Sequence, residues 1–288
     1  MGGRLSRIGL RAATIAVLLF LYVPIFIVIV YAFNDSKNQS WSGLLDRLSS
    51  GGFASTFSLR WFDAALSNEQ VRESFLLSLQ AAIGATVLAL LLGSAAAFAV
   101  HRFRFFGRGG ISFVLVLPIA LPGIVTGMAL NSAMHAGIDG FDIGPLHVQT
   151  PDFGLATIIV GHATFCVVVV YNNVIARLRR VGRSLEEASM DLGADTWQTF
   201  RRITFPAIAT ALFAGALLAF ALSFDEIIVT TFTAGTEQTL PIWIFANFRL
   251  PNARPIVNVV ALAMIVLSLV PVYISARLAG SESVASAR

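Results

Sequence analysis

Apolar residues in this chain gather into six long runs, at about residues 12–33, 76–100, 111–134, 155–175, 207–230 and 256–276, separated by shorter polar stretches. Each run is close to the roughly 20 residues that a helix needs to cross a ~30 Å hydrocarbon layer. The pattern therefore predicts an all-α integral membrane protein with six transmembrane helices. Arg4, Arg7 and Arg11 precede the first run, as they would in a signal peptide. That run exceeds the ~7–15 residue core of such a peptide, carries Pro24 midway and lacks a small-x-small cleavage pattern, so it is read as a retained helix.

Composition and charge narrow the picture. Of 288 residues, 56% are hydrophobic and 12% charged, about half the ~25% charged of soluble domains. This excludes a soluble enzyme and a disordered chain. The formal charge of +4 is spread in short clusters between apolar runs, which is the pattern of loops at a membrane face and argues against a nucleic-acid partner. With six spans, 14 of the 20 basic residues fall on the side of the termini and 6 on the other, so the positive-inside bias predicts that both termini are cytoplasmic. Residues 133–155 hold no Lys or Arg but have Asp139, Asp142 and Asp152, as suits an exported loop. The lone Cys166 excludes an intrachain disulfide. One membrane domain, residues 1–288, accounts for the chain, with a core at about 75–277 preceded by helix 12–33 and an exported segment 34–74.

Several runs are interrupted. The third holds Pro118, Pro122-Gly123, Gly127 and Asn131, which predicts a kinked helix packed where freed carbonyls find partners. In the second, Gly84, Ala85, Gly93 and Ser94 to Ala97 permit close helix approach. In the exported segment, Trp41, Trp61 and Phe62 suit an interface, and residues 60–73 fit a short amphipathic helix on the membrane surface.

The loop 172–206 carries the strongest signals. Ser184-Leu185-Glu186-Glu187 reads as a capping box that opens a helix, and Gly193 as the residue that ends it. Asp195-Thr196-Trp197-Gln198 reads as a second capping box, opening a short helix with Phe200 and Ile203 on one face. Pro206 fits the first turn of the following membrane helix. By capping alone this is a surface connection. The pattern Glu187-Ala188-Ser189, Gly193 six residues after the glutamate, Ile203 and Phe205-Pro206 resembles the EAA loop of the permease subunits of ATP-binding-cassette (ABC) importers. Ser189 replaces the second Ala and Phe205 the Leu of the family pattern.

The resemblance implies the type I ABC importer permease (MetI-like) fold, and a coupling helix that docks into a cleft on the nucleotide-binding subunit. Glu187 would then be the charged contact to the ATPase and Gly193 the turn between the two short helices, with Ala188, Ile203 and Pro206 the other coupling positions. It implies as partners two ATP-binding cassette subunits, a second homologous permease subunit, an external solute-binding protein and membrane lipid. The chain has no Gly-x-x-x-x-Gly-Lys-Ser/Thr loop, its only lysine being Lys37. It is thus expected to be a translocation subunit, not an enzyme, with no cofactor of its own and ATP and Mg bound by the partner ATPase; no metal site or catalytic motif is expected.

Asp225 and Glu226 lie near the end of the fifth run. Counted from Pro206, Asp225 is ~28 Å along an ideal helix, which places it at the exported mouth. Ionisable residues within spans are functional candidates by default, and here two acids would favour a cation; the alternative is interfacial solvation or pairing with Arg249 or Arg254. Asn131, His162 and Tyr171 are further polar candidates for the pathway, with hydrogen bonding between helices the alternative for His162. Phe33-Asn34-Asp35-Ser36, Gly161-His162-Ala163-Thr164-Phe165-Cys166, Ser223-Phe224-Asp225-Glu226, Leu240-Pro241-Ile242 and Asn258-Val259-Val260-Ala261 look like the spermidine and putrescine permease branch. That branch can carry an acid after the proline of the third helix, where this chain has Gly123. The resemblance implies import of a small cationic solute such as a polyamine. Two alternatives stay open: an ABC importer for an opine or other amino-acid-like solute, and an ion-coupled secondary transporter using Asp225 and Glu226.

Overall fold

The computed structural model describes residues 2–37, 39–50, 56–138, 141–143, 146–148 and 152–285. In chain order the elements are α1 (Gly2–Phe33), α2 (Trp41–Ser50), α3 (Arg60–Leu66), α4 (Glu69–Arg102), α5 (Arg108–Ala120), α6 (Gly123–Ile138), β1 (Phe141–Ile143), β2 (Leu146–Val148), α7 (Leu155–Arg180), α8 (Arg183–Asp191) and α9 (Thr196–Thr199). After a π-helical turn, Phe200–Thr204, come α10 (Phe205–Phe224), α11 (Ile228–Thr233), α12 (Leu240–Asn247) and α13 (Arg254–Ala285). Among the described residues regular structure is helical except for the small antiparallel hairpin of β1 and β2. Among the described residues five helices are long and apolar enough to cross a membrane, and α5 and α6, bent by 106° at their junction, are apolar and long enough together to count as a sixth.

That bend is the kink expected at Pro122-Gly123. A proline ring clashes with a helical residue before it, and Leu121 is accordingly extended, with φ −84° and ψ 147°. The Pro122 carbonyl then accepts the N–H groups of Val125 at 2.9 Å and Thr126 at 3.2 Å, which starts α6.

The described chain divides into two compact units, Met1–Glu73 with Trp243–Val266 and Ser74–Ile242 with Leu267–Arg288. The first joins the N-terminal residues to a segment from near the far end of the chain. Within it the end of α1 is fastened to the exported segment: Asn34 bridges Phe57, the Trp61 indole donates to the Asn34 carbonyl at 3.0 Å, and Tyr31 packs on Trp41 and Phe33 on Phe62. Trp61 is thus buried while Trp41 is half exposed. The amphipathic helix expected over 60–73 is two elements. Asn68 accepts the Val71 N–H on its side chain at 3.2 Å, an N-cap that opens the long second span at Glu69, seven residues earlier than the apolar run suggests.

In the second unit α7 is the central element, with buried residues on nearly every turn. Close approach depends on small residues. A Cβ on Gly93 of α4 would lie 2.8 Å from the Val167 carbonyl oxygen, and one on Gly215 of α10 3.4 Å from the Val170 Cα. Helices in lipid gain no hydrophobic drive to associate, so backbone contact of this kind supplies the packing energy.

The fifth span departs from expectation. It stops at Phe224 instead of running to residue 230, and Asp225 is its last cap. No Gly or Pro marks the break. Just past the break the Glu226 carboxylate accepts the Val229 N–H at 2.9 Å, satisfying an otherwise free amide in the first turn of α11.

Candidate functional site

The loop between the fourth and fifth spans is built from α8, a glycine turn and α9. Val181 and Gly182 are extended, so α8 starts at Arg183 and Ser184 falls inside its first turn. The capping box expected at Ser184 is therefore not formed, and Gly182 is the uncapped start. The end of α8 follows the expected chemistry. Gly193 has φ +88°, its N–H bonds the Met190 carbonyl at 2.9 Å, and the Ala194 N–H bonds that of Ser189 at 3.1 Å, the paired bonds of a Schellman turn. Asp195 forms the second capping box, accepting the Gln198 N–H at 2.8 Å while the Gln198 side chain accepts the Asp195 N–H at 3.4 Å.

From α9 the chain enters the fifth span without interruption. Pro206 has no N–H for the Arg202 carbonyl and its ring would strike it. The π turn relieves this, with the Phe205 N–H bonded five residues back to the Phe200 carbonyl. The second short helix and the membrane helix, expected as separate elements, are one rod.

The two short helices present an apolar and acidic surface. Leu192 is 90% exposed and Trp197 67%, and Leu185 and Glu187 are exposed beside them. Beneath lies a groove of about 470 Å³ lined by Ala188, Leu192, Gly193, Gln198, Arg202 and Ile203. Pro206 is exposed at the foot of the span. Glu187 forms no ion pair among the described residues, whereas its neighbour Glu186 accepts the Thr204 hydroxyl at 2.6 Å and lies 3.6 Å from the Arg102 guanidinium. Sequence reasoning missed Glu186, because both partners come from other elements.

The second polar cluster surrounds the break in the fifth span. His162 of α7 places Nδ1 2.7 Å from Ser223 Oγ and Nε2 2.7 Å from Thr230 Oγ1, bridging both sides of the break. The break, with Asp225 two residues after Ser223, is thus held beside His162, about 10 Å along α7 from Leu155. The break in the third span adjoins it: a Cβ on Gly123 would lie 3.5 Å from Ile228, and Asn131 donates its amide to the Phe232 carbonyl at 2.7 Å. Asp225 is exposed and Glu226 half buried. Neither takes part in an ion pair among the described residues. Tyr171 lies apart, its hydroxyl 2.7 Å from Ser112 Oγ. Of the five polar candidates, Asp225 alone is exposed.

Three comparisons bear on this arrangement. The family described as "Binding-protein-dependent transport system inner membrane component" matches residues 89–280. The chain is 35% identical to the putrescine transport system permease protein PotI of Escherichia coli (strain K12) over 254 residues, 87% of this chain and 83% of the relative. It is 31% identical to the spermidine/putrescine transport system permease protein PotC of the same strain over 285 residues, 98% of this chain and 97% of the relative. Among solved structures, a bacterial ABC transporter involved in import of the acidic polysaccharide alginate superposes with a TM-score of 0.61 at 17% identity, covering 98% of both chains.

Proposed function

The chain belongs to the binding-protein-dependent transport system inner membrane component family, and from that premise we propose that it carries a small cationic amine of the polyamine class into the cytoplasm. Membership makes it a multi-pass inner-membrane permease subunit of an ABC importer, a translocation component whose ATP hydrolysis resides in a separate subunit. Two ATPase subunits holding ATP and Mg, a second related permease and an external binding protein complete the proposed assembly, with both termini of this chain cytoplasmic. ATPase closure on α8 and α9 shifts the population between inward-open and outward-open arrangements, and the solute makes different contacts in each.

One observation carries the substrate class: the exposed Asp225 carboxylate stands where two broken spans meet. Broken helices at membrane depth are where carriers place solute sites, and a free carboxylate there favours an ammonium group. The 35% identity to a putrescine permease supports the same chemistry.

The test is uptake of labelled putrescine by the complete complex in proteoliposomes, with Mg-ATP on the ATPase side and the binding protein on the other. Accumulation is expected only with ATP and binding protein together. Uptake driven by an ion gradient without ATP would overturn the coupling. An amino-acid-like ligand, found by mass spectrometry on the natively purified binding protein, would overturn the polyamine assignment.

A further inference from the structure

We propose that Glu186, and not only the docking surface around Glu187, is the positioning residue that ties the coupling helix to the moving span. The proposal rests on the reading of α8 and α9 as the ATPase-docking loop. Glu186 lies on α8 with its side chain turned inward, 19% exposed. One carboxylate oxygen accepts the Thr204 hydroxyl at 2.6 Å. The other faces the Arg102 guanidinium at 3.6 Å. Three elements therefore meet on one carboxylate: the coupling helix, the π turn at the foot of the fifth span, and the foot of the second.

The two contacts are unequal. Arg102 is 36% exposed and its pairing at 3.6 Å is loose, and ion pairs of that kind contribute little. Thr204 is buried, at 1% exposure, and donates to a charged acceptor, the stronger class of hydrogen bond. The link to Thr204 dominates. It also sits where α8 would otherwise be free to swing: Val181 and Gly182 are extended on one side and Gly193 takes a left-handed turn on the other. Across that turn a second contact, Ser189 Oγ to Thr199 Oγ1 at 3.1 Å, joins α8 to α9. Since α9, the π turn and α10 form one continuous rod, displacement of α8 held by Glu186 reaches Phe224 and Asp225 as motion of a single body. Without the tie, α8 rotates about its two flexible ends and the span stays behind.

The test compares Glu186→Ala, Thr204→Val and Thr204→Ser in the complete complex, reading ATPase co-purification, ATP hydrolysed per solute carried, and stimulation of hydrolysis by the binding protein. Glu186→Ala and Thr204→Val are expected to retain the ATPase, to raise the ATP used per solute about tenfold and to lose the stimulation. Thr204→Ser, which keeps the hydroxyl, is expected to restore both. A wild-type ratio in the assembled Glu186→Ala and Thr204→Val complexes would overturn the tie, as would loss of the ATPase from Glu186→Ala while Glu187→Lys retains it. Absence of an ATPase from the wild-type complex would instead sink the docking reading.

Discussion

His162 Nδ1 lies 2.7 Å from Ser223 Oγ, and the opposite nitrogen of the ring reaches Thr230, so one buried imidazole spans the gap where the fifth membrane helix is broken. Replacement by Leu leaves two buried hydroxyls without the ring. Thr230 keeps its bond to the Glu226 carbonyl at 2.9 Å, and polar contacts in membrane bundles average ~0.6 kcal/mol. His162→Leu is therefore expected to cost about 1 kcal/mol, and His162→Gln less, measured as the unfolding of the detergent-solubilised complex. Equal stability of His162→Leu and wild type would show that the bridge contributes nothing.

Gly93 and Gly84 make a paired test of helix approach. A methyl at Gly93 meets the Val167 carbonyl at 2.8 Å, backbone that has no room to move, whereas one at Gly84 meets Ile159 Cδ1 at 2.5 Å, the end of a flexible side chain. Gly93→Ala should lose about 1–3 kcal/mol by overpacking and Gly84→Ala much less. Folded yield after detergent extraction reads the difference, and the reverse order would contradict the packing described.

Nothing lies within 4 Å of a Cβ built at Gly193, so its substitution is limited by the backbone at φ +88° alone. Gly193→Val should cost about 1–2 kcal/mol and reduce uptake by loosening the angle between α8 and α9. Gly193→Asn, which tolerates the left-handed region, should keep most of the uptake. If the two variants transported alike, the turn would not set the docking geometry.

Asp225 and Glu226 should separate. Glu226 caps α11 through Val229, and Gln can still accept that bond, so Glu226→Gln is expected to have a small effect. Asp225→Asn removes the exposed carboxylate and is expected to raise the KM for a diamine about tenfold or more, a loss of ~1.4 kcal/mol, with the ATPase still bound. An unchanged KM in Asp225→Asn would take this residue out of the pathway.

Glu187→Lys reverses the charge of the exposed acid on α8. It should release the ATPase from the purified complex while leaving the permease inserted and folded. Normal ATP-driven uptake by this variant would remove Glu187 from the contact.

Features whose cause is local were legible in the residues. Pro122 forces Leu121 out of the helix wherever the span packs, Gly193 ends α8 because few other residues adopt its backbone, and Asp195 with Gln198 closes a capping box three residues wide. Ser184 misled because the same capping pattern loses when the extended Val181-Gly182 lets the helix start earlier. The engagement of Glu186 was not legible, since its partner is a threonine 18 residues on, and the break after Phe224 carries no Gly or Pro signal and is bridged by a histidine 61 residues back from Ser223.

The amino-acid sequence on its own determined that the chain lives in a membrane, where its long apolar runs lie, where the third of them bends and where the loop 172–206 turns, because hydrophobic length, proline and glycine act within a few residues. Only the tertiary structure decided which acid is committed and which is exposed. Glu186 is engaged by Thr204 from another element, while Glu187, its chain neighbour, is left exposed. Adjacent residues on a helix or its cap point about 100° apart, so which of two neighbouring carboxylates meets a partner depends on the elements packed around it.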